Sequence, residues 1–180
     1  MVKSLNNSIG LLGGSFDPVH KGHLFISKIA LKKIKLDKIY WVIAEKNPFK
    51  KKAHFSFKDR LSLAKKAIKN SKNIHILHLD KKIRSVRTIN IINYLSIKRK
   101  FKNIHFIVGS DILAELHKWK SWKKIVKTIK LVVFYRRGYG RKSKQSIVAK
   151  YLKNKNIIYI NNKPINISST ILRKKLKKNS

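Results

Sequence analysis

The stretch "GLLGGSFDPVHKGHLFIS", residues 10–27, decides the fold, because it describes a buried strand that turns directly into a helix. The apolar run "IGLLGG" at 9–14 predicts the strand, and apolar residues near helical spacing predict a helix over 21–35. Between them stand an Asp-Pro pair and two histidines, His20 and His23. The stretch therefore predicts a strand–loop–helix unit whose loop carries polar side chains.

The same alternation of apolar strands and amphipathic helices continues along the chain. Strands are predicted at 38–44, 74–79, 104–110, 131–135 and 156–160, and helices at 56–70, 88–100, 111–119, 121–129, 144–152 and 167–178. This order predicts an α/β fold, a Rossmann-like, doubly wound and mostly parallel sheet with helices on both faces. Ligands bind such sheets at the carboxyl ends of the strands, where the strand order reverses. Without a repeat or linker, we expect residues 1–180 to form a single domain.

The composition excludes several classes of protein. Hydrophobic residues make up 43% of the 180 residues, too many for a disordered polycation. The absence of cysteine excludes disulfides and thiolate metal sites. No run approaches the ~20 apolar residues of a membrane span, and residues 1–7 lack the apolar core of a signal peptide. We expect a soluble, cytoplasmic protein without a membrane partner.

The net charge of +38, from 45 Lys and Arg against 7 Asp and Glu, has two interpretations. A dense basic surface binds nucleic acid through counterion release. Alternatively, the lysines reflect compositional drift, because they are spread along the whole length together with Ile and Asn, which A/T-rich codons also encode. We favour drift, together with a general preference for anionic ligands.

The loop after the first strand suits a phosphate group. Gly13 and Gly14 allow a close approach of the backbone and conformations closed to other residues, and the N-terminus of the following helix presents free N–H groups. His20 and His23 lie on one face of its first turn and can donate to phosphoryl oxygens. Two alternatives remain: a zinc site, which lacks a third ligand nearby, and a plain turn in which Asp17 caps the helix. The Walker A and G-x-G-x-x-G patterns are absent here.

A second set of hydroxyl groups precedes the last predicted helix. The segment "ISST", residues 167–170, supplies Ser168, Ser169 and Thr170 at a helix start, and Arg173 lies one turn further on. Alone, such a segment is most often only a helix cap. Opposite the histidine pair, it would complete a cradle for a triphosphate.

These two segments resemble the paired signatures of the nucleotidylyltransferase superfamily. "GGSFDPVHKGH" resembles G-x-F-D-P-x-H-x-G-H, and "ISSTILR" resembles I-S-S-T-x-x-R. Within the superfamily the chain is similar to bacterial nicotinate-nucleotide adenylyltransferases, a similarity that runs from about residue 9 to 178. It is carried by "NPFK" (47–50), "DRLSLA" (59–64), "RTINIINYL" (87–95), "VGSDILAELHKWKSW" (108–122) and "LVVFYRRG" (131–138).

The resemblance implies adenylyl transfer from ATP to nicotinate mononucleotide, giving deamido-NAD and pyrophosphate in NAD biosynthesis, without a covalent enzyme intermediate. It implies His20, His23 and Arg173 as catalytic residues. It also implies an ATP site at Gly13, Gly14, Ser15, Phe16, His20, His23, Gly109, Asp111, Ser168, Ser169, Thr170 and Arg173. Asp111 would meet ribose hydroxyls, or else cap the following helix. Mg²⁺ would be held mainly by ATP, with no protein metal site.

For the acceptor, the resemblance implies a site formed by Lys50, Thr88, Trp119 and Arg136. Trp119 would stack on the pyridine ring, or anchor the core together with Trp122. Arg87 and Asn90 stand where the family usually has Tyr and Asp, and Arg137 stands where it has Pro. Transfer to nicotinamide mononucleotide or pantetheine phosphate therefore remains a rival. A nucleic-acid-binding protein on an inactive scaffold is a rival from another class.

Overall fold

A computed structural model describes residues 8–45, 53–77, 87–162 and 169–178 of the chain. Six parallel strands form one sheet in the order β3-β2-β1-β4-β5-β6. The strands are β1 (Ser8–Gly14), β2 (Lys38–Ile43), β3 (Ile74–Leu77), β4 (Asn103–Gly109), β5 (Lys130–Phe134) and β6 (Ile157–Ile160). The predicted doubly wound α/β fold is confirmed, and the described strands are all parallel.

Helices connect the strands within the described ranges. They are α1 (Lys21–Ile34), α2 (Phe57–Ile68), α3 (Thr88–Asn93), α4 (Ser110–Glu115), α5 (Trp122–Thr128), α6 (Gly140–Lys144), α7 (Ile147–Tyr151) and α8 (Ser169–Lys178). A π-helical turn, Tyr94–Lys98, follows α3, and a 3-10 turn, Leu116–Lys118, follows α4. None of the helices in these ranges has the length and apolar character needed to cross a membrane.

Two helices differ from the sequence prediction. The helix predicted at 144–152 begins at Ile147, because the Ser146 hydroxyl accepts from the Ala149 N–H and forms an N-cap. No helix was predicted between the strand at 131–135 and the helix at 144–152, and the structure has the short helix α6 there. Short segments of this kind are decided by caps and packing and not by apolar periodicity.

The sheet separates two apolar cores because successive strand residues point to opposite faces. On one face, Leu11 and Val133 pack with helices α3, α4, α5 and α7. On the other face, Leu12 and Val132 pack with α1 and α2. This two-sided cover explains why the strands read as nearly continuous apolar runs.

The strand order reverses between β1 and β4, which are neighbours in the sheet although most of the first half of the chain separates them. Gly14 ends β1 and Gly109 ends β4, so the loops that follow both strands leave the same edge. This is the place where parallel sheets bind ligands. The fold therefore puts the histidine loop and the Asp111 loop on either side of one crevice.

Replacing Gly10 with alanine is expected to lower the free energy of unfolding by about 1–3 kcal/mol through overpacking. A Cβ at Gly10 would lie 2.9 Å from carbons of Ile107, Ile39 and Leu36. On the same strand, Gly13→Ala is a matched control, because its Cβ would meet the Phe106 ring at an ordinary 3.7 Å. Urea unfolding of both variants provides the measurement. Equal losses in both would contradict the overpacking argument.

Candidate active site

His20 and His23 form a reciprocal cap at the start of α1. The Nδ1 atom of His20 accepts from the Gly22 N–H at 3.2 Å, and the Nδ1 atom of His23 accepts from the His20 N–H at 3.2 Å. A neutral imidazole that accepts at Nδ1 carries its proton on Nε2. Both rings therefore have the tautomer that can donate from Nε2 to a ligand.

The surroundings of both imidazoles favour the neutral form at pH 7. Burial lowers the pKa of His20 to about 4, and the positive charge of Arg136 adds to the effect. Burial also lowers the pKa of His23 to about 3, with further contributions from His20 and Arg136. The Arg136 guanidinium is thus close enough to act on both rings. A bound polyphosphate would counter these effects, because a nearby negative charge favours protonated imidazole.

The unusual backbone of this loop lies at Phe16 and not at the glycines. Gly13 and Gly14 are part of the extended strand β1, whereas Phe16 has a left-handed φ of 48°. The expectation that the glycines adopt conformations closed to other residues is wrong, because the left-handed residue is Phe16, two positions after Gly14. The Phe16 ring is buried and stacks on His23 with 4.5 Å between ring centroids. The Phe16 ring therefore packs against one face of the His23 ring.

Asp17 is a buried acceptor and does not cap α1. Its carboxylate accepts from the backbone N–H groups of His54 and Phe55, both at 2.9 Å. Burial alone would raise the pKa of this carboxyl, but the two N–H donors and the charges of Arg173 and Arg60 outweigh burial and hold it below its usual value. The plain-turn alternative assigned the cap to Asp17, and the structure assigns it to His20.

The start of α8 docks directly on the histidine loop. The Ser169 hydroxyl donates to the Pro18 carbonyl at 2.9 Å across 151 residues of sequence. Arg173 donates to the Asp17 carbonyl, lies 3.6 Å from its carboxylate, and donates to the Thr170 hydroxyl at 3.1 Å. The two segments that the sequence paired are therefore in contact. Ser168 lies outside the described residues.

Asp111 and Arg136 form an ion pair on the other side of the crevice, with 2.7 Å between Arg136 Nη1 and Asp111 Oδ2. The Ser110 hydroxyl accepts from the Arg136 N–H at 2.9 Å. A Cβ at Gly109 would collide with the Asp111 carboxylate and approach the Arg136 Cδ atom to 3.2 Å. Sequence reasoning placed Asp111 with ATP and Arg136 with the acceptor, and the structure brings the two together.

Of the remaining acceptor-side residues, Trp119 and Thr88 lie within the described ranges. Trp119 is half-buried, meets the Phe106 ring edge-on at 6.0 Å between centroids, and packs on the core together with Trp122. Thr88 begins α3 and is half-buried. Lys50 lies outside the described residues. The structure thus supports the core-anchoring alternative for Trp119 while leaving part of the side chain accessible.

The carboxylates at this edge of the sheet are engaged by arginine. Asp17 faces Arg173, and Asp111 faces Arg136. Within the described ranges, no group of three or more His, Cys, Asp or Glu side chains is arranged to hold a metal ion. The donor set at this edge suits an anion, since imidazole, hydroxyl and guanidinium groups dominate it.

Sequence reasoning missed Arg60, a residue of α2 that is only 1% exposed. Its guanidinium donates to the carbonyls of Ser15 and Ala44, each at 2.7 Å, and of Glu45 at 2.9 Å. A signal was present, because Arg60 stands four residues before buried Ala64 and therefore shares the inward face of the helix.

Comparison with known proteins places the chain in a family. Residues 11–175 match the family described as Cytidylyltransferase-like. The chain belongs to this family. A "Probable nicotinate-nucleotide adenylyltransferase" of Pelagibacter ubique is 44% identical over 180 residues, with 97% of this chain and 99% of the relative covered. The resemblance that the sequence motifs indicated is therefore confirmed.

Solved structures of other proteins share this fold. Nicotinic acid mononucleotide adenylyltransferase of Plasmodium falciparum, complexed with APC, has a TM-score of 0.74 at 21% identity and covers 93% of this chain and 82% of its own. The same enzyme complexed with NaAD has a TM-score of 0.73 at 22% identity, with the same coverage. At this identity the likeness confirms the fold.

Proposed function

We propose that this chain transfers the adenylyl group of ATP to nicotinate mononucleotide, giving deamido-NAD and pyrophosphate in NAD biosynthesis. The observation that carries the proposal is the contact between α8 and the histidine loop, where Ser169 and Arg173 meet Pro18 and Asp17. This contact gathers imidazole, hydroxyl and guanidinium donors at one end of the sheet. The bacterial relative named for this activity, which matches almost from end to end, supports the same reaction.

In this reaction a phosphate oxygen of the mononucleotide attacks the α-phosphorus of ATP. The new P–O bond forms in line with the bond to the β-phosphate, which breaks and releases pyrophosphate. Positioning and charge stabilisation are the main tasks of the protein in such transfers. We assign His20 and His23 to donate from Nε2 to the phosphate oxygens on which charge develops.

The hydroxyl and guanidinium groups of α8 are assigned to the β- and γ-phosphates. Thr170 and Arg173 already contact each other, and Arg173 is anchored on Asp17. Because Arg173 has several donors, it can keep this anchor while another N–H turns towards a phosphate. In the sequence, Ser168 directly precedes Ser169 and Thr170, and we assign its hydroxyl group to the same phosphates.

The Asp111–Arg136 pair is assigned to the junction between the two substrates. Asp111 Oδ1 is buried without a hydrogen-bond partner among the described residues, which leaves an acceptor available for a ribose hydroxyl. Arg136 is half-exposed, so it can reach a phosphate of the acceptor. The roles of Lys50, Thr88 and Trp119 on the acceptor side remain predictions.

Mg²⁺ enters this proposal as part of the substrate. The two carboxylates at the site are engaged by arginine, so the ion would be held by ATP oxygens and water and not by protein ligands. A single catalytic domain over 1–180 and a cytoplasmic location, where ATP is abundant, are further parts of the proposal.

A pyrophosphate-release assay with ATP and separate acceptors tests this function. We expect kcat/KM for nicotinate mononucleotide to exceed that for nicotinamide mononucleotide and pantetheine phosphate by at least about tenfold, since a polar site discriminates against an acceptor that leaves its groups unpaired. Preference for another acceptor would reassign the substrate. Absence of turnover with all three, together with DNA binding that weakens steeply with salt, would favour the nucleic-acid-binding rival.

A further inference from the structure

Arg60 joins three loops at the carboxyl edge of the sheet. Besides its bonds to Ser15, Ala44 and Glu45, its Nε donates to the Phe55 carbonyl at 3.3 Å. These carbonyls follow β1, follow β2 and precede α2. A fully buried arginine is rare in proteins. Here it satisfies backbone groups in each loop, and the Asp17 charge lies near enough to act on it.

The bond to Ser15 connects Arg60 to the histidine pair. Ser15 precedes Phe16, whose left-handed φ of 48° is sparsely populated for a residue with a bulky side chain. Such a conformation persists only where the surroundings fix it. The Arg60 bond fixes the carbonyl directly before this residue, at 2.7 Å.

The Phe16 ring connects the Arg60 bond to His23 through direct ring contact. The two rings are stacked with 28° between their planes, and the Phe16 ring also contacts the Trp41 ring, at 5.1 Å between centroids. The Trp41 indole N–H is itself held by the Ser27 hydroxyl at 2.9 Å. The His23 ring therefore rests on an aromatic support whose backbone is fixed by Arg60.

We propose that Arg60 is a positioning residue for adenylyl transfer, which holds the Ser15 carbonyl so that Phe16 keeps its turn and orients the His23 imidazole. The proposal rests on the proposed function, in which His23 faces the phosphates of ATP. Arginine suits this role better than lysine, because its planar fork reaches several carbonyls at once. The single Nη1 atom of Arg60 donates to both the Ser15 and the Ala44 carbonyl.

The variants Arg60→Lys and Phe16→Leu test the two ends of this connection. Steady-state kinetics are measured well below each melting temperature and normalised to the folded fraction. We expect kcat to fall about 10- to 100-fold in both, because small misplacements of catalytic groups have effects of this size. We expect KM for ATP to change less than about threefold, since Ser169, Thr170 and Arg173 are untouched and the Phe16 ring is buried behind His23 and does not itself face ATP. Arg141→Lys, at an exposed arginine of α6, is the matched control with unchanged kinetics.

If Arg60 only stabilises the fold and does not orient His23, the Arg60→Lys variant gives a different result. The substitution would lower the melting temperature while the folded fraction keeps the wild-type kcat, and that outcome would overturn the proposal. If Arg60→Lys does not fold, Phe16→Leu decides, because it leaves every Arg60 hydrogen bond in place. Wild-type kcat in Phe16→Leu would likewise overturn the proposal.

The His23 imidazole resonances in NMR spectra separate this proposal from the proposed function. We expect the ring C–H signals of His23 to shift in Arg60→Lys, which keeps the stacked Phe16 ring and its ring current, and to keep their wild-type positions in Arg141→Lys. If the wild-type protein shows no turnover with any acceptor, the proposed function fails, and these shifts still report whether Arg60 orients the ring. Unshifted His23 signals in Arg60→Lys would refute the connection.

Discussion

The His20→Ala variant is expected to lose about 100- to 1,000-fold in kcat for ATP and nicotinate mononucleotide, the effect typical of removing one donor to developing charge. The reason lies in the tautomer, because Nδ1 of His20 is occupied by the Gly22 N–H and Nε2 is left to donate. Alanine also removes the cap of α1, which costs about 0.5–2 kcal/mol of stability. Pyrophosphate release and thermal unfolding measure the two effects.

His20→Asn separates these effects. Asparagine is among the favoured N-cap residues, so its side chain can accept the Gly22 N–H in place of the imidazole. It has no group that matches the position of Nε2. We therefore expect a melting temperature close to that of the wild type, with activity as low as in His20→Ala. Activity preserved in His20→Asn would show that His20 serves only the helix.

The Asp17→Asn variant is expected to lose about 3–5 kcal/mol in its free energy of unfolding, the range for removing one partner of a buried charge pair. The carboxylate accepts two backbone N–H groups, from His54 and Phe55, and carries the negative charge next to Arg173 and Arg60. An amide can accept only one of these N–H groups and turns its NH₂ towards the other. Urea unfolding at pH 7 measures the loss.

Asp59→Asn is the matched control, because Asp59 is an exposed carboxylate that accepts from the Ser56 hydroxyl at 2.6 Å. Exposed substitutions of this kind usually change stability by less than about 0.5 kcal/mol. A similar loss in both variants would mean that general charge reduction, and not the buried pair, determines stability. The comparison matters in a chain with a net charge of +38.

The difference in unfolding free energy between wild type and Asp17→Asn also depends on pH. The pKa of Asp17 in the folded protein lies below the ordinary value, so the unfolded chain binds a proton at a higher pH than the folded chain does. The stabilisation by the carboxylate is fully present above about pH 3.9 and is lost as the pH falls through the folded pKa. The stability difference between wild type and Asp17→Asn should therefore narrow in strong acid.

The fold could be predicted from sequence because each strand is an apolar run and each long helix has a periodic face. The site could be located because Gly14 and Gly109 end two strands that parallel topology brings together. Its second half was found through the resemblance of "ISST" to a known signature. The structure adds that Ser169 and Arg173 contact the first half directly.

The internal supports of the site could not be predicted, because they depend on contacts between residues distant in sequence. Local patterns offered a helix cap as the alternative role of Asp17, but its partners stand 37 and 38 residues away. The turn at Phe16 was assigned to the glycines, since glycine usually takes left-handed conformations. Arg60 reads locally as one more cation on a helix, and only the tertiary structure shows which carbonyls it serves.

The docking of α8 on the histidine loop has a consequence for protein synthesis. The ribosome completes β1 and α1 long before Ser169 and Arg173, which contact residues 151 and 156 positions earlier. The ribosome synthesises a chain at about 5–20 residues per second. At this rate the roughly 150 residues between the histidine pair and Arg173 take about 8–30 seconds to synthesise, so the histidine loop is made well before the second half of the site. The set of donor groups at this edge of the sheet is therefore complete only after Arg173 has been synthesised.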